Sequence, residues 1–77
     1  MMTVKVLLNS IEKVKNFSAI LSKECVEGEL VEGVHILDAK SVMGIFSLNL
    51  KEPLELRIHS DNQAILKELQ EFIVEEN

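Results

Sequence analysis

A second cysteine is missing from this sequence, so Cys25 has no partner within the chain and no internal disulfide can staple it. The chain is therefore expected to work in a reducing compartment, most simply a bacterial-type cytoplasm. Cys25 is expected to be a small core residue, since free cysteines are among the most buried residue types. Long uncharged runs are also missing: the longest, Ser41–Leu50, has 10 residues against the ~20 that a membrane helix needs. Met1–Leu8 is broken by Thr3 and Lys5 and has no cleavage-site pattern, so no secretory leader is expected. Basic residues are few, 8 Lys and Arg against 13 Asp and Glu, and the net charge of −5 repels phosphate backbones and anionic lipid. Direct binding to nucleic acid or membrane is disfavoured, which leaves other proteins as the expected partners. With one Pro and three Gly there is no linker, and neither a repeat nor a low-complexity tract appears.

What is present is a dense supply of apolar side chains, 47% of 77 residues. A chain of this length hides only about 60% of its unfolded surface, so residues 1–77 are expected to form one domain held by its core. Met2, Val4, Val6 and Leu8 alternate with Thr3, Lys5 and Leu7, the period-2 pattern of a strand with one buried face. Asn9 and Glu12 have capping-box spacing, and Ile11, Val14, Phe17, Leu21 and Cys25 follow at helical intervals. Val26–Glu32 and Val34–Ala39 are β-branched runs around Glu32-Gly33, which suits a hairpin. After Pro53, Leu54, Leu56 and Ile58 alternate with Glu55, Arg57 and His59 as a fourth strand. Ser60 and Gln63 suggest a second capping box, and Ile65, Leu69, Phe72 and Ile73 trace a helical face to the C-terminus. Ser41 is a candidate N-cap for a two-turn helix between the third and fourth strands. The order is βαββαβα, an α+β open-faced sandwich: a four-stranded antiparallel sheet with three helices on one face and Lys5, Glu55 and Arg57 on the other.

The sequence offers little catalytic chemistry. His35 and His59 lie in strands, and with Cys25 they lack metal-ligand spacing. Paired catalytic carboxylates, a nucleophile triad and a Gly-rich phosphate loop are all missing. Glu27, Glu29 and Glu32 read as a solvated strand face. No enzyme, metal or cofactor is expected. The short helix is more informative, because Val42, Met43, Ile45 and Phe46 spread apolar groups around most of it while only one side can face the core. The remainder forms an exposed patch that includes a methionine, a residue that repacks against different partners.

Asp38-Ala39-Lys40-Ser41-Val42-Met43-Gly44-Ile45-Phe46-Ser47-Leu48 closely resembles the regulatory-serine segment of HPr, the phosphocarrier of the bacterial sugar phosphotransferase system. The likeness includes the Lys-Ser pair, the Met-Gly step and the closing Ser-Leu, and the βαββαβα order is the family's order. It implies that Ser41 is the target of an ATP-dependent HPr kinase. It also implies that Lys40, Val42, Met43, Phe46 and Ser47 form a docking surface for a regulator or an enzyme. One departure is informative. The family's phosphorylatable histidine follows strand one in a Gly-x-His-Ala-Arg-Pro context, where this chain has Asn9-Ser10-Ile11-Glu12-Lys13-Val14-Lys15-Asn16. Lys13 falls near the histidine's place and cannot shuttle a phosphoryl group, and Glu12 would oppose one. The resemblance is therefore to the Crh type, which lacks the histidine and keeps the serine. Two other readings stay open: a binding module outside phosphotransfer that uses the same patch for another protein or a homodimer, and an unconventional carrier using His59 or another residue.

Overall fold

The computed structural model describes residues 1–74. Its elements follow the order β1 (Met2–Val6), α1 (Ile11–Lys23), β2 (Gly28–Glu32), β3 (His35–Asp38), α2 (Val42–Ile45), β4 (Leu54–Ile58) and α3 (Gln63–Glu68). The strands lie in the order β1-β4-β2-β3, and every pairing is antiparallel. Alternation decides which side is covered. Val4 and Val6 lie opposite Leu56 and Leu54, and Leu30 lies opposite Leu56 from the other side, so these residues share the face on which the helices pack. Lys5 opposite Glu55, and Thr3 opposite Arg57, fall on the open face, where Arg57 Nε donates to Glu55 Oε2 at 2.6 Å. Under the helices the core gathers Val14, Phe17 and Leu21 of α1, Ile45 of α2 and Ile65 of α3.

α1 starts one residue later than its sequence pairing suggests. Ser10, extended at φ −151° and ψ 157°, is the N-cap, and its hydroxyl accepts the Lys13 amide at 3.1 Å; the Asn9–Glu12 box does not form. The helix closes with Val26 N–H donating to the Leu21 carbonyl and Cys25 N–H to that of Ser22. That is the paired arrangement in which the residue after the cap turns left-handed. Here that residue is Cys25, at φ 53°, exposed to solvent and outside the core expected for it. Val26 takes the buried place instead and packs with Leu21. Glycine meets its conformational requirement at one turn, where Gly33 at φ 59° leads the two-residue hairpin between β2 and β3.

The strands are shorter than their apolar runs. β1 ends at Val6, opposite Leu54, the first residue of β4; Leu7 N–H faces the other edge by alternation and donates to the Phe72 carbonyl, and Leu8 remains buried. β3 lacks Val34, which belongs to the hairpin turn, and Ala39, whose amide makes a last bond to the Gly28 carbonyl where the chain turns toward Ser41.

The last helix differs most from its pattern. Asn62, not Ser60, is its N-cap, accepting the Ala64 amide at 3.0 Å, while the Ser60 hydroxyl accepts the Asn62 amide. After Glu68 the chain tightens into turns with Gln70 N–H to Lys67 and Phe72 N–H to Leu69 carbonyls. It then straightens, and Ile73 bridges to Val6 while Val74 N–H donates to the Lys5 carbonyl. The expected inward side chains still face in, with Leu69 and Phe72 buried and Phe72 edge-on to Phe17 at 5.7 Å. The part of the expected helix that falls on residues 75–77 lies outside the described residues.

Candidate functional site around Ser41

Ser41 stands between β3 and α2, with extended φ −87° and ψ 94°. Its hydroxyl accepts the Gly44 amide at 3.3 Å, and its own N–H donates to the Asp38 carbonyl. A Cβ on Gly44 would lie 3.0 Å from Ser41 Oγ and 3.5 Å from Leu37 Cδ1, so the glycine keeps the cap geometry open. The expected two-turn helix is a single α-turn, Val42–Ile45, prolonged by tighter bonds from Ser47 N–H to Gly44 and Leu48 N–H to Ile45 carbonyls. Ser47 adds a short hydroxyl bond, 2.6 Å, to the Gly44 carbonyl. The divided helix reads clearly: Ile45 and Leu48 are buried and Val42 is half-buried against the core, whereas Met43 is 83% and Phe46 40% exposed. Ser41 and Ser47 are also exposed.

Lys40 is held from three directions. Its N–H donates to Asp38 Oδ1 at 2.8 Å, its carbonyl accepts the Ser18 hydroxyl at 2.8 Å, and its ammonium bonds Glu27 Oε1 at 2.8 Å. The Glu27 hydrogen bond keeps the Lys40 ammonium above its usual range; partial desolvation works against it, and the attraction of Glu27 and Asp38 adds to it. The sequence alone does not mark Glu27, Asp38 and Ser18 as residues of this site. Asp38 does carry a local signal, since an Asp can accept the amide two residues on, whereas no local spacing reveals Glu27 as the partner of the Lys40 ammonium. Ser18 carried a faint signal, because it sits four residues after Val14 on the buried stripe of α1, where a polar side chain needs a partner.

At the start of α1 the Lys13 amide is taken by Ser10, Glu12 is exposed, and Ile11 projects into solvent. His59 Nε2 lies 3.0 Å from Glu29 Oε1 on the open sheet side, and His35 begins β3 at the hairpin. Neither histidine is brought to Ser41 or to the first turn of α1 by a hydrogen bond. Among the described residues no group of three His, Cys, Asp or Glu side chains is placed to hold a metal ion. Nor is any described helix long and apolar enough to cross a membrane.

Strand order, antiparallel pairing and three helices on one face define an HPr-like open-faced α+β sandwich. Among solved structures, the chain is similar to the crystal structure of HPr-C-His from Thermoanaerobacter tengcongensis. The TM-score is 0.74 at 22% sequence identity, covering 92% of this chain and 89% of that one. At that identity the likeness is one of fold. No protein-family model matches the sequence, and no curated protein matches it.

Proposed function

We propose that this chain is an HPr-like, single-domain regulatory protein of the cytoplasm, linked to the sugar phosphotransferase system and acting through Ser41 and its helix. The observation that carries the reading is the exposed Ser41 hydroxyl beside exposed Met43 and Phe46, on a fold shared with an HPr. Phosphorylation there adds about −1.5 to −2 charge beside an apolar surface. Ser41 is exposed, so the added group needs no repacking of the core. A partner then gains an arginine contact or meets repulsion from its own carboxylates, and the switch is one of surface chemistry. Lys40, Val42, Met43, Phe46 and Ser47 frame that surface, with an HPr kinase and a regulator or enzyme as its partners. The missing histidine at the start of α1 separates this role from that of a histidine carrier, as in Crh-type proteins. No catalytic role or cofactor is assigned to the chain.

The test is intact mass after incubation with HPr kinase and ATP, beside a tube with phosphoenolpyruvate and the first enzyme of the system. An authentic HPr is treated in parallel. One phosphate gained only with ATP and lost in Ser41→Ala supports the regulatory role. A gain only with phosphoenolpyruvate replaces it with an unconventional carrier. No gain in either tube, with HPr modified, replaces it with a binding module outside phosphotransfer.

A further inference from the structure

The sheet has two edges, and the chain treats them differently. Along β1 the segment Phe72–Val74 takes up the backbone groups of Lys5 and Leu7. β3 receives no such cover among the described residues. Its phase in the ladder is fixed: Glu32 and His35 flank the two-residue turn, and Ala39 N–H donates to the Gly28 carbonyl. Alternation then makes Val31–Ile36 and Glu29–Asp38 non-hydrogen-bonded pairs, so Ile36 turns its amide and carbonyl, and Asp38 its amide, away from β2. The Asp38 carbonyl, which accepts Ser41 N–H, points outward by the same alternation. Exposed edges are ordinarily blunted by lysine, proline or a bulge. β3 has none of these; its protection is its length of 4 residues and the charge of Asp38, and it presents Ile36, 56% exposed, beside Val34, 91% exposed.

Charge decides what fits. Glu29 and Asp38 face each other directly, in the pair type where side chains come closest and like charges destabilise. Glu29 touches His59, and Arg57, its neighbour on β4, is engaged by Glu55. Asp38 takes a backbone amide and, among the described residues, no salt bridge. These residues border an open basin of about 260 Å³ lined by Glu29, Ile36, Asp38 and His59. We propose that β3 accepts an extended segment of another protein as a fifth strand, one that sets an apolar side chain beside Ile36 and a lysine or arginine beside Asp38. Backbone bonds supply attachment and the cation supplies selectivity. This surface is separate from the role proposed for Ser41 and stands without it.

The probe is the capped peptide Thr-Lys-Thr-Val-Thr-Lys-Thr, in which a lysine sits two residues from the central valine in either strand direction. It is titrated into isotope-labelled full chain by NMR. Saturable shifts centred on the Ile36 and Asp38 amides are expected. N-methylation of the peptide at alternate residues including the valine removes the donors of an antiparallel fifth strand, and N-methylation of the threonines between them removes those of a parallel one. One of the two should weaken binding about fivefold or more, the net worth of one hydrogen bond. Replacing its lysines by glutamate should abolish binding, and Asp38→Asn, which keeps an acceptor for the Lys40 amide, should weaken it severalfold. Unchanged affinity for both methylated peptides, shifts centred on Val42–Ser47, or no saturable binding would overturn the proposal. So would a dimer of the free chain in sedimentation with the Ile36 amide protected, which would give this edge to a second copy.

Discussion

Cys25 is the residue at which local chemistry and fold disagree most. Its place at helical spacing after Phe17 and Leu21 suggests a core cysteine, yet it occupies the left-handed position after α1 at φ 53° and is exposed to solvent. A side chain at that φ costs roughly 1–2 kcal/mol, which glycine avoids while losing some of the gain to its freer unfolded chain. Cys25→Gly should therefore stabilise the protein by about 1 kcal/mol, raising the urea midpoint with an unchanged slope. Ser18 makes the opposite case, as a buried hydroxyl that ties α1 to the turn before Ser41 through the Lys40 carbonyl. Ser18→Ala should cost about 1–2 kcal/mol in urea unfolding. The burial of Ser18 was legible from its place on the helical stripe, and its partner 22 residues away was not. Cys25 was misplaced because periodicity alone does not mark where a helix stops.

At the scale of elements, the two serine caps can be compared directly. Ser10 caps a helix of 13 residues with a bond of 3.1 Å, whereas Ser41 caps one of 4 residues with a bond of 3.3 Å. Ser10→Ala should cost about 1 kcal/mol and Ser41→Ala about 0.5 kcal/mol or less, as read from paired urea curves. A Ser41→Ala cost equal to that of Ser10→Ala would make Ser41 chiefly a structural cap. Met43→Glu, at an exposed position, should change stability by no more than about 0.5 kcal/mol and still weaken a partner that docks on α2. A thermal melt beside a binding assay separates the two effects. Element type and order were legible because alternation and helical spacing track burial, and Leu69 and Phe72 are buried as that spacing required. The conformation after Glu68 was not legible, since the edge of β1, far off in sequence, draws Ile73 out of a helical path.

For the whole molecule, acidity and the Lys40–Glu27 pair set the response to pH. The folded-state pKa of Lys40 lies above its ordinary 10.5, so the pair's contribution is complete below that value and fades as pH rises through the folded pKa. The stability difference between the natural chain and Lys40→Gln should thus be constant through neutral pH and shrink in the alkaline range, as followed by urea unfolding at stepped pH. Added salt should reduce it at every pH, because the pair is partly solvated. The sandwich was legible from sequence to the level of strand count and the apolar face. The order β1-β4-β2-β3 and the attachment of Phe72–Val74 depend on contacts between distant segments, for which one sequence carries no periodic signal.

The placement of β1 also sets a timetable for folding. Its ladder partners are Leu54–Ile58, and the cover on its other side comes from Ile73. β1 thus waits for a segment that is made roughly 3–13 s after it, at about 5–20 residues per second of synthesis. Until then its backbone and its valines are open to chaperones and to neighbouring chains. β2 and β3 close their hairpin from adjacent residues, yet β4 must arrive before that hairpin and β1 share a sheet. Closure of this sheet therefore waits for Ile73 to be available, and it is limited by long-range strand pairing more than by helix formation.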